Sequence, residues 1–517
     1  MEESGEISNG PPGPQAKTGY LPHIARGAAI NFSGIFGRAL IVYVYTFILA
    51  RLMAPEQLGE FFLMFTVINL VALAAVAGLD FGILRYVALY AGVGELGSAK
   101  KVVKGAVLLG LATSVTLMII LWLSAPAINR ILFDDSNVAV NGIRIFAIAI
   151  PLMVCARLFN ATTQGMHQMR FQVYANDIGE QVSKLLLAGT ALILGAGLIG
   201  VVLANVTAVA IGLMMAATFA LWVLFRRPET AESSEKPVAN LVKYSVPLAA
   251  TTVLMALIMW IDTLLLGYFS TSTNVGYYAV AAKVALVSAR ILTAFAAVFS
   301  PVISDLWNRR QGEELNILFK TVSRWIFTMT YPIFLVLAVF ADPVLSIFGA
   351  DFVVASTAMI MIAFGQLVTA STGTASMMLL MSGRSRLELV NVLIILVFDV
   401  IMCILLIPRF GLAGAAFANM ASFSLVNMIR VVEVWFLMRL HAFDRFYFKP
   451  LLSGAMGAAV VFVAGRFLLA DGQPVRIAAL AAVMVILYVG SMALMGFNER
   501  DKKILNMVKT RLARAEA

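Results

Sequence analysis

The sequence predicts an all-α polytopic membrane protein of about 14 transmembrane helices, arranged as two pseudo-symmetric six-helix bundles followed by a C-terminal helix pair. Three observations predict it. Of 517 residues, 61% are hydrophobic and only 13% charged, with a mean hydropathy of +0.92, where a soluble chain carries about 25% charged residues. Apolar runs of about 20 residues recur along the chain, each long enough to cross the hydrocarbon core as a helix. The first half of the sequence is also echoed in the second at a nearly constant offset.

Hydropathy places the spans at 28–50, 57–80, 103–124, 139–163, 175–196, 199–224, 245–269, 275–299, 318–340, 354–380, 388–407, 411–436, 451–469 and 476–497. Lys and Arg fix their direction, because basic residues accumulate on the cytoplasmic side. With the N-terminus inside, the inner segments hold Lys17, Arg26, Lys100, Lys101, Lys104, Arg170, Arg226, Arg227, Lys236, Lys243, Arg309, Arg310, Lys320, Arg324, Arg384, Arg386, Arg439, Arg445, Lys449 and the basic C-terminal tail. The outer segments hold Arg51, Arg130, Arg409, Arg466 and Arg476. Both termini are therefore expected in the cytoplasm, and the chain in the cytoplasmic (inner) membrane. The net charge of +10 is mostly this topological bias facing anionic headgroups, so no nucleic-acid partner is expected.

The echo is ordered. "GLIGVVLAN" at 197–205 returns as "GLAGAAFAN" at 411–419, "QLGEFFLM" at 57–64 as "NVGYYAVA" at 274–281, and "LFDDSNV" at 132–138 as "IFGADFV" at 347–353. "TTQGMHQMRFQVYAN" at 162–176 matches "LMSGRSRLELVN" at 380–391 in position and polarity. Each unit holds six spans, and an even number preserves orientation, so the copies are parallel repeats. The domains follow: a disordered acidic tail at 1–22, a six-helix lobe at 23–225, a cytoplasmic linker at 226–240 containing "RRPETAESSEKP", a second lobe at 241–438, the additional helix pair at 439–498 and a basic tail at 499–517.

Other classes of function are poorly served. The N-terminus lacks the basic start of a signal peptide. Cys155 and Cys403 lie inside apolar runs and read as buried filler. His23, His167 and His441 are scattered, so no metal and no cofactor are expected. No GxxxxGK[ST] motif is present for nucleotide hydrolysis, and the short loops leave no room for a catalytic domain. The chain reads as a transporter and not an enzyme.

Eight basic residues fall within spans: Arg38, Arg85, Arg144, Arg157, Lys184, Lys283, Arg290 and Arg430. A cation at mid-bilayer costs roughly 2.5–3.5 kcal/mol on insertion scales and needs a partner or water. Arg38, deep in span 1, and Lys283 and Arg290, two turns apart on one face of span 8, are placed on a cavity wall. Arg144 and Arg157 share a stripe of span 4; each serves the cavity or snorkels to its nearer surface. Asp262 and Asp399 are the deepest acids. A carboxylate in lipid needs a cavity cation, a proton or Na⁺, or a helix-packing partner, and all three readings stay open. Glu180 with Lys184, Asp80 with Arg85, and Arg430 with Glu433 read as local pairs. The excess of buried cation over buried anion suits a phosphate or pyrophosphate.

"LARLMAPEQLGEFFLMFTVINL", the paired GLxG hairpins and "IFGADFVVAS" resemble the multidrug/oligosaccharidyl-lipid/polysaccharide exporter superfamily, in its polysaccharide-transporter or O-antigen flippase branch. The resemblance covers roughly residues 20–497. It implies a V-shaped pair of lobes, alternating access, and flipping of an anionic polyprenyl-(pyro)phosphate-linked oligosaccharide to the outer leaflet for surface polysaccharide, capsule or lipopolysaccharide synthesis. Membrane lipids and H⁺ or Na⁺ would be its other partners, and the monomer its working unit. The alternative is an ion-coupled multidrug or metabolite exporter of the same fold.

Overall fold

The computed structural model describes residues 21–133, 136–226, 237–468 and 474–495. The expected N-terminal tail, most of the inter-repeat linker, the turn between the last two helices and the basic tail lie outside the described residues. All the regular structure described is helical.

The first helix, α1 (Leu21–Leu52), leads into α2 (Pro55–Val76), which starts with Pro at its first turn, where the missing N–H is no loss. Ala77 and Gly78 adopt left-handed backbone and end α2. The following 14-residue helix α3 (Leu79–Gly92) lies almost wholly between the expected spans 57–80 and 103–124. Then come α4 (Leu96–Leu132), α5 (Asn137–Ala147), α6 (Ala149–Gly165) and the short α7 (Met169–Gln172). A π-helical turn over Val173–Gly179 links α7 to α8 (Glu180–Ile193), and α9 (Gly197–Phe225) closes the first half.

The second half runs through α10 (Pro237–Phe269), α11 (Ser272–Ala285), α12 (Ala289–Asn308), α13 (Gly312–Val339), α14 (Ala341–Ser346), α15 (Ser356–Thr372), α16 (Ala375–Met381) and α17 (Ser385–Met438). The last pair is α18 (Phe448–Leu468) and α19 (Pro474–Leu494). At 54 residues, α17 is far longer than a bilayer needs, and Gly411 interrupts it with φ 51° and ψ −125°. Ser422 donates to Asp399, Arg430 to Glu388 and Asn391 to Glu433. These pairs straddle Gly411 symmetrically, so α17 is a hairpin of two antiparallel arms.

Among the described residues, eight helices are long and apolar enough to cross a membrane, or nine if the bent pair α11 and α12 is one span. By length and apolarity alone the expected count of about 14 is matched only in part. The α17 hairpin registers as one helix, the π turn leaves α8 only 14 residues long, and α19 offers a short apolar stretch, Ala479–Leu494.

The repeat is visible in conformation. Gly197 and Gly411, the first residues of the two echoed hairpins, share φ 54° and 51°. Gly59 and Gly276, which correspond in the echoed "LGEFF" and "VGYYA", pack against each other. A Cβ on Gly59 would meet the Ser272 carbonyl, and one on Gly276 the Pro55 carbonyl. Each residue meets the counterpart of its own neighbour, the signature of a local two-fold. The buried core runs through this crossing, from Leu58, Phe61 and Leu63 to Val275, Val280 and Phe352.

Candidate functional site

The expected basic residues are distributed between two arrangements. Lys283 ends α11 and Arg290 begins α12, but the helix between them breaks. Over residues 286–291 the backbone bonds shorten toward i→i−3, as in Val287 to Val284 and Arg290 to Val287, and the axis bends by 47°. The expected single continuous helical face is therefore corrected: tighter turns leave residues seven apart off register. The two cations remain electrostatic neighbours, and Lys184 of α8 adds its charge to them. Both reach into the first half of the chain. The Lys283 ammonium lies 4.8 Å from the centre of the Phe62 ring, and Arg290 is an electrostatic neighbour of the Tyr43 hydroxyl. Among the described residues, neither has a carboxylate at ion-pairing distance.

In the first half the arginines are tethered. Arg38 Nη1 lies 3.1 Å from Asp177 Oδ1; the arginine side chain is 47% exposed and the aspartate 7%. Asp177 sits on the π turn. Asn176 beside it is best satisfied with its carbonyl accepting from Arg38 at 3.2 Å and its amide donating to Glu180. Glu180 in turn holds Lys184 at 2.6 Å, the local pair the spacing suggested. Arg157 has the same pattern, with Nε 2.7 Å from the buried Asp80. Asp80 thus pairs across helices and not with Arg85, whose guanidinium lies 4.4 Å from the Tyr244 ring centre. Arg144 stacks 4.7 Å from the Trp122 ring. Arg430 is claimed by Glu388, leaving Glu433 to Asn391.

Asp262 of α10 and Asp399 of α17 come together. With the Cys403 thiol their ligand atoms lie within 4.8 Å of one another, all buried. Asp262 accepts from Tyr278 at 3.0 Å and from Asn419 at 2.6 Å, and the Cys403 sulfur is 3.7 Å away. Asp399 accepts from Ser422 at 2.9 Å. Among the described residues no basic side chain pairs with either. The carbonyl oxygen of Asn419 is buried without a partner. Two carboxylates, two hydroxyls and a spare amide oxygen, with the Cys403 thiol beside them, form an oxygen-rich set suited to a proton or a hard cation.

Sequence reasoning missed Asp177, Tyr43, Phe62, Tyr278, Ser422 and Asn419, and took Cys403 as filler. Asn419 had a signal: it closes the second echo, where Asn205 closes the first. Asn205 donates to the Tyr45 hydroxyl, so the matching asparagines serve a neutral phenol in one half and a carboxylate in the other.

Fold and sequence together place this polytopic membrane protein in the multidrug/oligosaccharidyl-lipid/polysaccharide exporter superfamily. Within it the chain belongs to the polysaccharide biosynthesis protein family, whose model matches residues 24–307. It is 24% identical over 402 residues, 77% of this chain and 80% of the relative, to the probable low-salt glycan biosynthesis flippase Agl15 of Haloferax volcanii. Its structure resembles the lipid II flippase MurJ in an inward closed conformation, with a TM-score of 0.73, 14% identity, and coverage of 90% of this chain and 98% of that one. It also resembles an inward-facing multidrug resistance MATE family transporter at a TM-score of 0.67 and 17% identity, covering 78% and 94%. At these identities the two structures share the fold.

Proposed function

We propose that the protein is a flippase that carries a polyprenyl-(pyro)phosphate-linked oligosaccharide from the cytoplasmic to the outer leaflet by alternating access. The observation that carries this reading is the Lys283–Arg290 pair, cationic, with Lys283 over Phe62 and Arg290 an electrostatic neighbour of Tyr43 in the other half, and without a carboxylate at ion-pairing distance among the described residues. Such a pair at the seam between two rocking halves is matched to a phosphate-bearing headgroup. An organic cation would be repelled there. The glycan-flippase relative supports the same substrate class.

The proposal includes 14 crossings with both termini cytoplasmic, counting the arms of α17 separately, and two six-helix lobes at 23–225 and 241–438. On that topology the Gly59–Gly276 crossing seals the outer side, helped by Arg51, which donates to the carbonyl of Ile347 at 2.6 Å. The lipid tail stays in the bilayer while the headgroup occupies water between the lobes, where fixed cations offset the desolvation that hydrocarbon would impose. Asp262 and Asp399, facing each other without a basic partner among the described residues, are proposed to hold the proton or Na⁺ whose gradient drives the cycle. This same pair is what favours the second reading, an ion-coupled exporter.

The test is a leaflet assay in proteoliposomes with a fluorescent polyprenyl-pyrophosphate oligosaccharide, comparing the native protein with Lys283→Ala and Arg290→Ala. Flipping by the native protein, lost in folded variants, supports the proposal. Absence of flipping under an imposed ion gradient, together with organic-cation efflux abolished by Asp262→Asn, would transfer the assignment to the exporter.

A further inference from the structure

The tethered Arg38 carries an inference that rests on the proposed function and deepens it. About thirteen residues of α1 separate Arg38 from Arg51 near the end of that helix, roughly 20 Å of rise. A half-exposed guanidinium at that depth is unaffordable against lipid and implies water beside it. Its partner Asp177 is almost fully buried. Asn176 and Asp177 both lie on the π turn over Val173–Gly179, and both reach Arg38. From there the polar ladder continues through Glu180 to Lys184, and so to the neighbourhood of Lys283 and Arg290. The first-half ladder is charge-balanced, with two cations and two carboxylates. The opposing Lys283–Arg290 pair is not.

We infer that Asp177 is an exchangeable counter-ion that sets which anionic lipid the cavity accepts. Arg38 reaches a headgroup only by leaving Asp177, and leaving strands a buried carboxylate. That exchange is favourable for a pyrophosphate, which carries several charged oxygens and can engage Arg38 bidentately. It is unfavourable for the single charge of a phosphodiester, the headgroup of the bulk anionic lipids surrounding the protein. Asp177 thereby protects the cavity from the abundant phospholipids at the expense of some affinity for the substrate. The residue is a specificity determinant acting through Arg38.

The experiment uses the full-length protein in detergent, with farnesyl pyrophosphate as the probe and short-chain phosphatidylglycerol as the competitor. Asp177→Asn is expected to tighten farnesyl pyrophosphate about tenfold, as befits removal of one competing charge-assisted bond, and to make binding sensitive to phosphatidylglycerol. Asp177→Glu should retain the native selectivity. In an Arg38→Gln background, Asp177→Asn should change neither quantity, an epistasis that a purely structural pair would not give. Asp177→Ser provides a second neutral variant should the amide disturb folding. Native binding with affinity and selectivity unaltered in both neutral variants overturns the counter-ion role and leaves the flippase reading standing. No binding of the pyrophosphate to the native protein overturns both.

Discussion

Alanine at Gly59 tests whether the two halves meet at a shared glycine crossing. A Cβ there would stand 1.7 Å from the Ser272 carbonyl oxygen, 2.6 Å from its carbon and 2.9 Å from the Gly276 nitrogen. All three are backbone atoms, so no side chain can swing aside, and α2 and α11 must part until the closest contact reaches at least 3.0 Å. Overpacking of this kind costs about 1–3 kcal/mol, and immovable neighbours place it at the upper end. The helix-propensity gain of Gly→Ala offsets about 1 kcal/mol. The net expectation is a loss of about 2 kcal/mol. Gly189, inside α8 with nothing within 4 Å of its built Cβ, is the control in which only the gain operates. Equilibrium unfolding in detergent, run side by side, should separate Gly59→Ala from Gly189→Ala by about 3 kcal/mol. Gly276→Ala should behave like Gly59→Ala, since its Cβ would meet the Pro55 carbonyl at 2.2 Å. The double variant should lose less than the sum, because helices already parted accommodate the second methyl. Equal stability of Gly59→Ala and Gly189→Ala, or strict additivity in the double variant, would refute the crossing.

Other expectations concern the acid pair and the junction to the last helix pair. Thermal stability should rise when Na⁺ replaces choline at constant ionic strength, or as pH falls, and Asp262→Asn and Asp399→Asn should each abolish that response. An unchanged response in both variants would remove the ion site. Arg324 and Asp444 form a 2.6 Å ion pair with 6% and 7% side-chain exposure. Asp444→Asn should cost about 3–5 kcal/mol in unfolding experiments, and Arg324→Met with Asp444→Leu should recover most of it. The Tyr447 hydroxyl donates to the Ser371 carbonyl at 3.0 Å, so Tyr447→Phe should lose about 1 kcal/mol. Burial holds its phenol well above the ordinary tyrosine range. Above pH ~10 the unfolded state releases this proton while the folded state keeps it, so stability falls with rising pH. The native protein should show a steeper fall than Tyr447→Phe; parallel curves would contradict the burial argument.

Hydropathy alone determined that the chain is helical and membrane-embedded, and the echoes located the glycines that end and cross helices. Both properties are local. A run of apolar side chains is expelled from water wherever it occurs, and a left-handed turn such as Gly197 or Gly411 needs only its own residue to lack a Cβ. The pairing of charges was not local. Spacing found Glu180 with Lys184, one turn apart on a regular helix, but it matched Asp80 to Arg85 and Arg430 to Glu433, where the folded chain chose Arg157 and Glu388. A buried charge is stabilised by the partner that replaces its lost hydration with the best geometry, and that partner can be far along the chain, as Asp177 is from Arg38. The break between Lys283 and Arg290 was equally invisible, because no proline or glycine marks residues 286–288. The sequence therefore announced which residues were too polar for lipid, and only the tertiary structure decided what each of them faces.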